Sequence, residues 1–317
     1  MAEGAGKPKS NNPWHGLNLL IRGLNFLCPS IMTPAPQYAP RPLGEQTRPA
    51  TDDGGAASLK ISIVIPTLNQ GRFLEKAITS ILEQEYPALE LIVIDGGSTD
   101  DSRSIITKYA ARLAWWCCEP DRGQTDAINK GFARASGEVM AWLNGDDLLA
   151  PGSLARIAAC FARHPETDVV YGQRILIDEQ GRDIGRWILP PHSDSVLTWA
   201  DFVPQETLFW RRLWKKIGGK MDDTFHFALD WDLLIRFRQA GARMVRLPFF
   251  LGCFRLHAAQ KTTAGIADIG FAEMDRIRET ALGYRPGLFR IVMGVAPFLA
   301  KTRCLELLWK SGVIHYE

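Results

Sequence analysis

The chain is expected to fold as an α/β domain built on a doubly wound, mainly parallel sheet. Three observations carry that expectation. Short apolar runs recur at Ile61–Pro66, Leu91–Ile94, Trp115–Cys118 and Val139–Leu143. Between the first two, Phe73, Leu74, Ala77, Ile78, Ile81 and Leu82 repeat at helical spacing. Strand and helix then alternate four times at short intervals, the pattern of parallel strands joined by helical crossovers.

Taken in order, Ile61-Ser62-Ile63-Val64-Ile65-Pro66 reads as a buried strand and Phe73–Leu82 as its helix. The second strand, Leu91–Ile94, ends in Asp95-Gly96-Gly97, and Thr99 is the expected N-cap of a helix running to about Ala111. Trp115–Cys118, a helix over Thr125–Arg134 and a strand over Val139–Leu143 follow. After Pro151 a helix over Leu154–Arg163 leads to Val169-Val170-Tyr171, and Ile175–Ile184 reads as a hairpin turning at Gly181. Trp187–Phe209 is irregular, aromatic and proline-rich. A helix is expected to start near Asp230, with strands at Met244–Leu247 and Phe249–Arg255 and a mostly helical tail from Ile266 to Lys310.

Residues 1–59 differ in character. Pro29, Pro34, Pro36, Pro40, Pro42 and Pro49, then Asp52-Asp53-Gly54-Gly55, describe a flexible linker. Within this segment Trp14, Leu17, Leu20, Ile21, Leu24 and Leu27 recur at helical spacing. That helix either lies on a membrane surface or packs on protein, and both readings stand. The longest apolar stretch of the tail, Gly287–Ala300, is interrupted by Arg290 and Pro297 and is too short to span a bilayer. No signal peptide is expected, because the N-terminal apolar part starts late and is cut by Arg22.

A formal net charge of +2 over 317 residues makes no demand for nucleic acid. The six cysteines show no metal-ligand spacing, and adjacent Cys117 and Cys118 read as reduced thiols, which fits a cytoplasmic setting.

Three polar clusters end predicted strands: Pro66-Thr67-Leu68-Asn69, Asp95-Gly96-Gly97-Ser98-Thr99-Asp100 and Asn144-Gly145-Asp146-Asp147. In a parallel sheet such ends share one edge, where ligands bind. Paired carboxylates are hard donors suited to Mg²⁺ or Mn²⁺ carrying phosphates, although the same residues also make an ordinary turn. Asp121–Gly131 opens a helix with free amides and nearby cations, which suits a diphosphate.

These segments, with Asp121-Arg122-Gly123-Gln124-Thr125-Asp126-Ala127-Ile128-Asn129-Lys130-Gly131 and Trp142-Leu143-Asn144-Gly145-Asp146-Asp147, resemble family 2 glycosyltransferases of the GT-A fold. The resemblance runs from about Ile61 to Thr263. It divides the chain into an appendage (1–59), a GT-A domain (60–263) and a helical extension (264–317). It implies a nucleotide-binding N-terminal half and an acceptor-binding C-terminal half. The implied reaction is an inverting, metal-assisted transfer from a nucleotide-sugar to an acceptor hydroxyl, with a saccharide or lipid-linked acceptor; contact with the inner face of the cell membrane is expected only on the interfacial reading of Asn12–Leu27.

Carried over by position, Pro66, Thr67, Asn69, Asp95 and Gly97 would line the nucleoside pocket, and Asp126 and Asn129 the diphosphate side. Asp146 would be the metal ligand with Asp147 beside it, and His257 a late ligand. Asn144 replaces the first acid of the family's D-x-D motif, so charge at the metal rests on Asp146. Leu229-Asp230-Trp231-Asp232 resembles the second acidic motif, making Asp230 the candidate general base. Gln205, Glu206, Trp231 and Asp232 fall on the acceptor side, and Lys261 would pair with phosphate. A nucleotidylyltransferase is the rival enzyme, but Pro66–Arg72 holds only one glycine where that class carries a glycine-rich loop. A silent nucleotide-sugar-binding protein is the other rival.

Overall fold

The computed structural model describes residues 35–44, 59–211, 213–260 and 269–316. Among them nine strands form one sheet in the order β3-β2-β1-β4-β8-β6-β9-β5, with β7 beside β6. The strands are β1 Ile61–Thr67, β2 Leu89–Asp95, β3 Trp115–Cys118, β4 Val139–Trp142, β5 Leu148–Leu149, β6 Val169–Ile177, β7 Asp183–Trp187, β8 Phe209–Arg211 and β9 Met244–Arg255. The helices are α1 Gly71–Leu82, α2 Ser102–Tyr109, α3 Gln124–Phe132, α4 Ser153–Arg163, α5 Asp194–Leu197, α6 Leu213–Lys216, α7 Leu229–Gln239, α8 Phe271–Leu282 and α9 Leu288–Lys310.

The first four strands are parallel, and Thr67 pairs with Asp95, so β1 and β2 end level on one edge. Short β8 runs antiparallel to both β4 and β6 and joins this half to the second one. Alternation along the strands separates two cores. Ile61, Ile63, Ile65, Leu91 and Val93 pack with α1 and α4. Val64, Ile92, Ile94 and Trp142 pack with α3, α7 and the C-terminal helices. Gly131 lets α3 approach closely, since a Cβ there would meet Val64 Cγ1 at 2.3 Å.

Three sequence expectations change. Residues 35–44 are docked rather than a free linker: Arg41 bridges Asp183 on β7, and Gln37 N donates to Ile184 O at 2.7 Å. The Tyr38 hydroxyl bonds Asp183, and burial leads the effects that push its pKa up to about 12. Asp100, not Thr99, serves the second helix, its Oδ1 accepting from Ser102 N at 3.0 Å. The strands expected at Met244–Leu247 and Phe249–Arg255 form one strand, with the register shifting where Pro248 has no N–H to give. The amphipathic stretch Asn12–Leu27 lies outside the described residues.

Buried Glu90 bonds Ser62, Ser136 and Lys60 at the start of the sheet. Burial alone would raise its pKa, but Lys60, Ser136 and Ser62 outweigh it and hold the group at about 2. Its stabilising contribution is therefore complete above its ordinary 4.5 and lost as pH falls through about 2. A Glu90→Gln variant should lack that share of the acid-unfolding slope, which urea titration at stepped pH would measure.

Candidate active site

Along the edge where the parallel strands end, a cavity of about 470 Å³ opens between the two halves of the sheet. Its wall includes Pro66 and Thr67 from β1, Asn144, Asp146 and Asp147 after β4, and Asp230 from α7. The acidic turn presses against the end of β1 because Gly145 has no side chain. A Cβ there would meet Gln70 Oε1 at 2.6 Å and Thr67 Oγ1 at 2.9 Å. Asn144 holds the turn in place: its Oδ1 accepts from Gln124 Nε2 at 2.7 Å, and its Nδ2 donates to Gln205 Oε1 at 3.0 Å.

The two acids of the turn are treated differently. Asp146 Oδ2 lies 2.9 Å from His257 Nε2, while the buried His257 Nδ1 has no partner among the described residues. Asp147 is buried, and its Oδ1 accepts Arg255 N at 2.9 Å while Asn144 Nδ2 lies 3.3 Å from its Oδ2. Burial first, then the charges of Asp146 and Glu206, push its carboxyl well above the usual range. With both oxygens so engaged, Asp147 holds the turn to β9. Arg255 completes this tie, donating to Asp146 O at 2.7 Å and to Asp178 O at 2.9 Å.

Opposite, α7 opens with Asp230, whose Oδ1 accepts from Trp231 N at 3.0 Å. The loop before it is fixed from the C-terminal extension. The Glu273 carboxylate on α8 receives the N–H groups of His226, Phe227 and Ala228 at 2.7, 2.8 and 2.8 Å. Asp201 also lines the cavity. Burial raises its carboxyl well above the ordinary range and the Asp230 charge adds to this, so the two acids resist ionising together. Below them, Arg174 and Glu206 make a buried two-pronged ion pair with both bonds at 2.7 Å. The guanidinium is sandwiched by Trp187 and Phe254, at 4.5 and 4.4 Å from the ring centres.

Of the residues expected from sequence, Pro66, Thr67, Asn144, Asp146, Asp147, Gln205, Glu206, Asp230 and Trp231 line the one cavity. Others lie outside its wall, among them His257, which reaches it only through its bond to Asp146. Asn69 spends its Oδ1 on Thr99 N at 2.9 Å, and buried Asp95 accepts from Ser98. Gly97, at φ +92°, packs on Pro120. On the side expected for the diphosphate, Asp126 pairs with Arg122 at 2.8 Å, and Asn129 bonds the Met221 backbone twice. Asp232 is also outside the wall and accepts from Arg236 Nε at 2.8 Å. Lys261 lies outside the described residues.

Sequence reasoning missed Arg174, Asp201 and Glu273, and it quoted Asp121, Gln124 and Arg255 only within motifs, with no role of their own. Asp121 had a local signal, since it sits beside the helix opening, and its carboxylate fills the space that a Cβ on Gly96 would need. Arg174 and Glu273 had none, because each meets its partner only through long-range packing.

Residues 62–255 match the family described as Glycosyl transferase family 2. An uncharacterized glycosyltransferase of Nostoc sp. is 41% identical over 166 residues, covering 49% of this chain and 51% of that protein. The chain thus spans about half the length of that relative. A PGL/p-HBAD biosynthesis glycosyltransferase of Mycobacterium tuberculosis is 33% identical over 184 residues, covering 57% of this chain and 70% of that protein. In fold, the chain is similar to S. aureus TarS solved with UDP-GlcNAc, at TM-score 0.59 and 20% identity over 76% of this chain and 72% of that one. A Pyrobaculum calidifontis mannosyltransferase solved with GDP-Man and Mn²⁺ gives TM-score 0.57 and 20% identity, covering 95% of this chain and 86% of that one. The match spans more than half the chain and includes the strand ends that build the cavity: this protein belongs to glycosyl transferase family 2.

Proposed function

We propose that the protein is an inverting glycosyltransferase that moves a sugar from a nucleoside-diphosphate donor to an acceptor hydroxyl, using Mg²⁺ or Mn²⁺. The observation that carries this reading is that Asp146 and Asp230, distant in the chain, line a single cavity of about 470 Å³. That volume is within the range of small-molecule sites. The likeness to structures holding UDP-GlcNAc and GDP-Man supports a nucleotide-sugar donor. A saccharide or lipid-linked acceptor in surface polysaccharide synthesis is the setting we infer, and the stretch Asn12–Leu27 supports contact with the inner face of the cell membrane.

Among the described residues no group of three or more His, Cys, Asp or Glu side chains could hold a metal ion by itself, so the ion we infer would rest on two side chains and the donor. Two ligands at about 2.1 Å on adjacent corners of an octahedron are about 3 Å apart, and Asp146 Oδ2 and His257 Nε2 are separated by 2.9 Å. Two protein ligands with the remainder from diphosphate is the usual economy of Mg²⁺ sites. When bound, the ion neutralises charge on the leaving diphosphate.

The chain's own residues supply the rest. Asp230 takes the acceptor's proton as the hydroxyl attacks the anomeric carbon, and Trp231 N–H holds that carboxylate in one orientation. Burial raises the Asp201 carboxyl well above its ordinary range and the Asp230 charge adds to this, so the pair resists carrying two negative charges at once. Gln205 and Asn144 fix the turn that carries Asp146.

Release of nucleoside diphosphate from a panel of donors, with and without Mn²⁺, tests the reading. Donor binding without release would favour the silent-binder alternative, and nucleoside triphosphate made from pyrophosphate would favour the nucleotidylyltransferase. Retained anomeric configuration in the product would refute inversion. Asp146→Ala should weaken Mn²⁺-dependent donor binding by about tenfold or more, and unchanged affinity by titration calorimetry would remove Asp146 as ligand.

A further inference from the structure

One side of α9 packs on the body through Phe298, Leu299 and Thr302. Phe298 lies 4.5 Å from the Phe202 ring, and Gly294 sits against Trp199. The other side is exposed and apolar. Phe289, Met293, Pro297, Ala300, Cys304 and Leu307 are all exposed, and steps of four and three keep them in one stripe. Phe289 is 76% exposed, Met293 58% and Leu307 53%, where a helix facing water carries charge.

Charge stands instead along the two borders of the stripe. On a helical projection Arg290 and Lys301 flank it on one side, Arg303 and Lys310 on the other. The helix has a single acid, Glu306, which is buried and paired with Arg303 at 3.2 Å. The helix therefore offers water an apolar stripe edged by cations, with no exposed acid of its own.

We propose that this face docks on an anionic lipid bilayer, with α9 lying in the headgroup plane and the stripe reaching the upper acyl chains. The charge pattern selects lipid over a second copy of the chain. Pairing two such stripes would bring cations against cations, whereas an anionic surface matches both borders at once. Spanning is not involved, since no helix among the described residues is long and apolar enough to cross a membrane. The contact is separate from Asn12–Leu27 and from the transfer reaction, and its test needs no sugar donor.

The full chain should co-sediment with phosphatidylcholine vesicles containing phosphatidylglycerol, less so at high salt, and poorly with phosphatidylcholine alone. Two variants of exposed positions, Phe289→Ser with Met293→Ser and Leu307→Ser, and Arg290→Glu with Lys301→Glu and Lys310→Glu, should each lower the partition by roughly tenfold or more, with thermal melts unchanged. Equal binding by both variants would move the contact elsewhere in the chain and overturn the proposal. So would wild-type protein that ignores anionic vesicles, including the case where it dimerises in solution through the same stripe.

Discussion

An Asp230→Asn variant should lose about 10²- to 10⁴-fold in kcat, the usual worth of a general base, while its donor affinity stays near that of the parent protein. The asymmetry follows from position. Asp230 stands on α7, across the cavity from the acidic turn, and an asparagine oxygen in its place can still accept the Trp231 N–H. The fold and the donor side are thus spared, and only the proton acceptor is lost. Single-turnover measurements with saturating donor would separate the two. Turnover close to the parent's would take Asp230 out of its role. The same neighbourhood gives a pH signature. Asp201→Asn keeps an acceptor for Val203 N, which lies 3.0 Å from Asp201 Oδ1. It also removes the second ionisation of the Asp201–Asp230 pair, which burial raises above the ordinary carboxylate range, so the step that this ionisation puts on the rate profile should vanish while the acidic limb stays in place.

The largest loss of stability should come from Glu206→Ala, at about 3–5 kcal/mol. Both partners of the Arg174–Glu206 pair are nearly removed from water, at 9% and 1% side-chain exposure. Truncating the acid leaves a guanidinium clamped between Trp187 and Phe254 with its charge uncompensated. Replacing both partners together, as Arg174→Met with Glu206→Leu, should recover most of the loss, because the desolvation of both ions disappears along with their attraction. Urea unfolding of the two variants decides the matter, and a single variant within 1 kcal/mol of the parent would show that water reaches the pair.

The parallel half of the sheet was legible because local pattern and packing agree there. Ile61, Ile63 and Ile65 alternate onto one face as period-two residues must, and each crossover helix starts within a few residues of the strand end that feeds it. The strand-end motifs placed Thr67, Asn144 and Asp146 correctly on one edge for the same reason. What the pattern could not show was how polar side chains divide between ligand and scaffold. Asn129 and Asp126 carry the right chemistry for a diphosphate, yet Met221 and Arg122 engage them first. Proline-rich composition over 35–44 suggested a loose tether, but proline also suits an edge segment with few N–H groups to satisfy, and β7 offers that edge. Asp201 and Glu273 lie in stretches without periodicity or motif, and only the folded chain brings them to Asp230.

The grip of Glu273 on the loop before α7 has a practical consequence for anyone excising the catalytic module. A fragment cut at the family's matched boundaries, 62–255, would keep the strand-end motifs yet omit both His257 and the acid that organises residues 226–228. Such a fragment would match the family model yet leave the loop that leads into α7 untethered and Asp146 without its imidazole neighbour, so that a gene product chosen by its signature would be an incomplete one.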